Sequence, residues 1–253
     1  MHRRDFNRLF GGVFGGLGSG LSGGLSSGVS TGRLCSGLLA GAAGASTSAI
    51  ANTQFFPKSA LFYDNDDPVT VESLAPGTSC VFSYPFITTP CFVVRLKSSA
   101  AQTEQWAGGV GDDQSVVAFS AICSHKMSHP AKPISHINFR SEPVTFYDKD
   151  GQKHEREQMI SCCSERSVYD PTQGAAVLSG PAPVPLAAIA LEVTDAGQLL
   201  AVGSSGIDQY DRFLEKFGFR LAMEYGVTDV RARVGEQTVA TLAEQFSSQQ
   251  IRC

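Results

Sequence analysis

The chain has 253 residues, 26 glycines, 7 cysteines and a formal net charge of −4. Thirteen glycines fall between Gly11 and Gly44; residues 1–51 carry four Lys/Arg against one Asp/Glu, and the rest of the chain carries 16 against 23. The acidic body excludes nucleic acid as the natural partner, because neutralising phosphates needs a basic patch. No run of 18 strongly apolar residues is present, and seven scattered cysteines are too few for a small disulfide-stapled scaffold. A body of roughly 200 residues can bury one substantial core.

The N-terminus reads Met1-His2-Arg3-Arg4-Asp5-Phe6. Arg3-Arg4-x-Phe6 resembles a twin-arginine export signal. The following stretch is weakly apolar, as suits that route, and Ala49-Ile50-Ala51 resembles a cleavage site with the mature start near Asn52. The alternatives are a Gly/Ser-rich tail without a targeting role and an uncleaved leader that gives membrane association. Glycine costs a helix about 1 kcal/mol per residue relative to alanine, which counts against a stable lone span. The resemblance implies a periplasmic body, or one on the periplasmic face of the inner membrane if the leader is retained, folded before it crosses.

Beyond the leader, Thr78–Ser83 and residues 91–97 are β-rich runs separated by Tyr84-Pro85 and Thr89-Pro90. They form a hairpin in which Cys80 and Cys91 are either bridged or two half-buried thiols. Residues 101–115 are a Gly/Asp loop, and 115–122 is an apolar strand running into Cys123-Ser124-His125. Residues 126–158 read as an insertion, with strands at 134–140 and 143–147 and a turn at Asp148-Lys149-Asp150-Gly151. His136 and His154 lie on its polar edges and read as solvent-facing. Met159-Ile160-Ser161-Cys162-Cys163 leads into a second loop, Gly180-Pro181-Ala182-Pro183-Val184-Pro185 is a rigid turn, and 189–194 with 199–202 form a last hairpin. Apolar residues at helical spacing predict helices over 208–225 and 236–249. Trp106 reads as a core or loop anchor and Cys253 as a free thiol at a frayed end.

Two loops carry the chemistry. Cys123-Ser124-His125 closes one strand, and Cys162-Cys163-Ser164-Glu165-Arg166-Ser167-Val168-Tyr169-Asp170 follows another. Thiolate and imidazole donors from such loops suit Fe–S, Zn or Cu. With Gly174 and the Gly180-Pro181-Ala182-Pro183 turn, the arrangement resembles the Rieske iron–sulfur family over residues 70–203. In that family two Cys bind one iron of a 2Fe-2S cluster and two His bind the other. The resemblance implies a mostly β fold, a Rieske-like antiparallel β-sandwich with a cluster-binding subdomain. The helical pattern adds a C-terminal extension. The chain thus divides into the leader (1–51), the Rieske-like domain (52–206) and the extension (207–253).

Cys123, His125 and Cys162 fall on three ligand positions, but the fourth is Glu165 where the family has His. The two positions of the family's inter-loop disulfide are Ser128 and Ser164. Tyr169 matches a position beside the cluster, where its hydroxyl either tunes a sulfur or simply packs. Three readings stay open. A cluster binds through Cys123, Cys162, His125 and Glu165, the carboxylate lowering the potential relative to two neutral imidazoles. The fourth ligand is instead Cys163 or a histidine of the insertion, His129 being nearest in sequence. Or no cluster binds, and Glu165 and Arg166 join a salt bridge that fills the site. The first two make the chain an electron-transfer subunit of an oxidoreductase complex rather than a stand-alone enzyme, with a cytochrome or catalytic subunit as redox partner. The third makes it a cluster-free docking subunit. A mononuclear zinc site on the same four donors is a further alternative.

Overall fold

The computed structural model describes residues 53–253; the arginine pair, the glycine-rich stretch and the Ala49-Ile50-Ala51 site lie outside them. The described chain runs β1 (Thr53–Phe62), β2 (Thr78–Ser83), β3 (Pro90–Arg95), β4 (Val116–Ser120), β5 (Ile137–Arg140), β6 (Val144–Tyr147), β7 (Lys153–Arg156), β8 (Met159–Cys162), β9 (Ser167–Asp170), β10 (Ala176–Ser179), β11 (Ile189–Val193), β12 (Leu199–Ser205), α1 (Ile207–Tyr225), β13 (Gln237–Val239), β14 (Thr241–Leu242) and α2 (Ala243–Phe246). These form three four-stranded sheets, ordered β11-β12-β1-β13, β14-β2-β3-β4 and β10-β9-β8-β5, and the separate hairpin β6-β7. All pairings are antiparallel except β1 with β13. The fold is mostly β.

The middle sheet explains the near-continuous apolar runs in β2, β3 and β4. Side chains alternate between the faces of a strand. Cys80, Phe82, Cys91, Val93, Val116 and Ala118 enter one core, which also takes Leu61, Leu199 and Ala201 from the β1-containing sheet. The intervening Val81, Phe92, Val94, Val117 and Phe119 enter a second core with Ile137, Ile160 and Tyr169 from the β8-containing sheet. A strand covered on both faces has no polar alternation to display. Trp106 anchors its loop in this second core, 5.5 Å from the Phe119 ring.

Register separates Cys80 from Cys91. Cys80 lies opposite Val93 and Cys91 opposite Phe82, so the two cysteines are not partners, and both are free and buried.

Helix α1 seals the first core with Tyr210, Phe213, Leu214 and Leu221. It stops at Gly226, whose φ of +64 is left-handed and whose N–H returns to Ala222 O. The second expected helix, 236–249, is corrected to two short strands and a single turn. Val239 and Leu242, which helical spacing would set on one apolar side, are exposed, while Ala240 and Ala243 are buried. Gln237–Val239 pairs with β1, and Thr241–Leu242 pairs with β2. Two open sheet edges outcompete a segment whose Thr and Val residues have weak helix propensity, and the segment closes both edges. The extension is therefore woven into the β body.

Burial pushes the thiols of Cys80 and Cys91 each up to about 12. An unfolded chain releases those protons near pH 9, the native chain only near 12, so stability falls as pH rises between these values. Denaturant unfolding measured at pH 9 and pH 10 is expected to show this fall. In Cys91→Ala the slope is expected to be shallower by about 1 kcal/mol per pH unit.

Candidate functional site

Beyond β4 the chain continues as Ala121-Ile122-Cys123 and folds back on itself. Cys123 N donates to Ser128 O and Met127 N to Cys123 O, both at 2.9 Å. The second loop is the β8–β9 turn, with Cys162 paired opposite Ser167. The Ser128 hydroxyl donates to the Ser164 hydroxyl at 2.9 Å, so the positions that the resemblance marks for a disulfide are joined here by a hydrogen bond. The Ser124 hydroxyl donates to Val184 O at 2.6 Å, which ties the proline-rich turn to the first loop.

Cys123 and Cys162 are free, fully buried, and within hydrogen-bonding reach of each other. Backbone N–H groups of its own loop favour charge on each sulfur: those of His125 and Lys126 for Cys123, those of Ser164 and Glu165 for Cys162. The Tyr169 hydroxyl lies 3.3 Å from Cys123 Sγ and accepts the Ser124 N–H at 3.3 Å. The Cys162 thiol, then Tyr169 and the loop N–H groups, hold the Cys123 thiol well below its usual range against the opposing effect of burial. The hydrogen bond to Cys123, burial and the neighbouring charge push Cys162 up. The pair thus gives up one proton readily and holds the other. Burial also pushes the Tyr169 hydroxyl up, which keeps it a donor.

His125 and Glu165 form a second pair. His125 Nδ1 is buried without a hydrogen-bond partner and stands 3.9 Å from Glu165 Oε2. The other carboxylate oxygen is 2.7 Å from Lys126 Nζ, and this bond, with the charges of Lys126 and His125, lowers the Glu165 pKa. The salt-bridge partner expected from the sequence, Arg166, is thus replaced by Lys126. Among the described residues no three His, Cys, Asp or Glu side chains gather into one metal-holding group; the four donors stand as two pairs.

Two substitutes for Glu165 are corrected. Cys163 is in a disulfide with Cys253, which is therefore not a free thiol either. His129 points to α1: its Nδ1 donates to Met127 O at 2.9 Å, and Arg220 donates to its Nε2 at 2.8 Å. Its ring packs 4.9 Å from that of Phe213. His154 is bonded to Asp148 at 2.6 Å and stacked on Phe146. Asp170, also buried, has its charge tied by Arg156 at 2.9 Å and by the Thr172 N–H and hydroxyl.

Sequence reading missed Lys126 and the bridging role of Cys253. A lysine directly after His125 and facing an unexpected carboxylate was the available signal for the first. For the second it was the pairing demand of an extra cysteine beside Cys162.

No family model matches the chain. Among solved structures, the soluble domain of Rieske protein II (soxF) from Sulfolobus acidocaldarius is similar at 26% identity with a TM-score of 0.39, over 59% of this chain and 78% of that one.

Gly180 supports the second loop from behind. Its φ is +85, and a Cβ there would lie 2.5 Å from Arg166 O and 2.6 Å from Ser167 Cα. Gly180→Ala is expected to cost about 1–3 kcal/mol of stability in denaturant unfolding.

Proposed function

We propose that this chain is an exported Rieske-type iron–sulfur electron-transfer subunit of a redox complex. In this reading it holds a 2Fe-2S cluster through Cys123 and Cys162 on one iron and His125 and Glu165 on the other. One observation carries the reading: two free thiols are buried together in the second core, and N–H groups of each loop favour charge on its sulfur. Such donors stabilise thiolate charge away from water. Cys80, buried without them, is pushed up to about 12, whereas Cys123 is held well below its usual range. The unpartnered Nδ1 of His125 adds a second fit, since an orphaned buried nitrogen costs about 1–3 kcal/mol unless a ligand satisfies it. Donors standing as two pairs suit a binuclear cluster better than the single point of a zinc site.

When bound, such a cluster accepts and returns one electron. The protein's own residues set the surroundings. Tyr169 donates toward Cys123 Sγ, which favours added negative charge on the sulfur. Lys126 offsets part of the charge that Glu165 brings in place of a neutral imidazole. The Ser128–Ser164 bond holds the two loops together. The redox partner is a cytochrome or a catalytic subunit that docks over the loop tips. The leader exports the folded chain to the periplasm and, if retained, anchors it to the inner membrane; no described helix is long and apolar enough to cross a membrane.

The Lys126–Glu165 ion pair favours a second reading, in which the pair closes the site and the fold serves as a cluster-free docking subunit. Iron and acid-labile sulfide in protein purified from iron-replete cells decide between them. The first reading predicts a coloured protein with two irons and two sulfides per chain. A colourless, iron-free protein would establish the second.

A further inference from the structure

The strand that ends in Cys162 continues into Cys163, which is bonded to Cys253 across a sequence separation of 90. The segment that delivers Cys253 is laid along the approach to β5. Ser248 N donates to Lys132 O and Ser135 N to Gln249 O, both at 2.8 Å, and Ile251 N donates to Ser135 O at 2.9 Å. The buried Asn138 amide donates to Ile251 O at 3.2 Å. The C-terminal segment is thus a strap over the insertion, and its only covalent tie is made beside the second site loop.

The two cysteines of that tie are unequally open. Cys163 is half-buried and Cys253 is exposed. Cys253 lines a cavity of about 360 Å³ together with Val144, Phe146, Tyr147, Arg166 and Val168. That volume falls within the range of about 300–1,000 Å³ common for small-ligand sites. Its walls are largely apolar, and Arg166 is the one charged side chain among the described residues that line it. A disulfide with one exposed cysteine, a small apolar cavity lined by that cysteine and a single cationic side chain occur together.

We propose that this cavity is a thiol–disulfide exchange site for an anionic low-molecular-weight thiol, which attacks Cys253 Sγ while Arg166 holds its negative group. The new bond joins the thiol's sulfur to Cys253; the Cys163–Cys253 bond breaks, and its electron pair leaves on Cys163, which then takes up a proton. A second equivalent of thiol attacks the mixed disulfide, leaving Cys253 as a thiol and the small thiol oxidised to its own disulfide. The strap is then held by hydrogen bonds alone, and the residue after Cys162 is released from it. The inference does not rest on a bound cluster.

The test uses the full chain and two matched probes, anionic mercaptoethanesulfonate and neutral mercaptoethanol, with intact mass and peptide mapping as the readout. The adduct is expected on Cys253, with Cys163 becoming alkylatable. The rate advantage of the anionic probe is expected to fall about tenfold in Arg166→Gln, the low end of electrostatic steering. It should return in Arg166→Lys and shrink in wild-type protein when salt is raised to about 1 M. The salt series in wild-type protein keeps the test valid if Arg166→Gln does not fold. An adduct on Cys163 or on another cysteine, no adduct, or a probe preference insensitive to both Arg166 and salt would overturn the proposal.

Discussion

The site depends on a sheet buried on both faces. Strands β2, β3 and β4 send alternate side chains into two cores, so β4 cannot shift or turn over without emptying one of them. Its register fixes where the strand ends and therefore where Cys123 emerges, at the margin of the second core. The β8-containing sheet closes that core from the other side and delivers Cys162 and Tyr169 to the same margin. The two thiols meet because two sheets share one core, and both loops inherit the rigidity of strands packed at interior density.

At the margin the electrostatics are local. The N–H groups of each loop favour charge on its own cysteine, so that charge meets donors in place before any ligand arrives. The second pair carries its own compensation, because the lysine that follows His125 bonds the carboxylate found at the fourth position. Glu165 and Lys126 thus act as one unit, a ligand candidate with its counter-ion. The disulfide between Cys163 and Cys253 lies just behind, where the C-terminal segment meets the end of β8.

Much of this was legible in the sequence. Apolar β-rich runs and turn residues marked β2 to β6, β8, β11 and β12, while β7, β9 and β10 fell in stretches read as turn or loop; the two loops with their trailing Gly174 and proline-rich turn marked the site. Two things were not legible. Residues 236–249 match helical spacing, but their structure is set by sheet edges far away in sequence, and Thr and Val yield to that pairing. The fates of Cys163, Cys253 and His129 are likewise decided by non-local neighbours. Four residues from His125 looked close enough for His129 to reach the site, yet Arg220 and Phe213 of α1 claim its ring. Ser128 and Ser164 stand where the resemblance implies a disulfide, and a hydrogen bond joins them instead.

The central proposal is a binuclear cluster held by two thiolates, one imidazole and one carboxylate. Nitrogen hyperfine spectroscopy of the reduced protein addresses it most directly, because each coordinated imidazole leaves its own coupling. The account predicts one imidazole nitrogen, assigned to His125 by its loss in His125→Ala, and two in Glu165→His. Two coordinated nitrogens in the wild-type protein, or none, would contradict it.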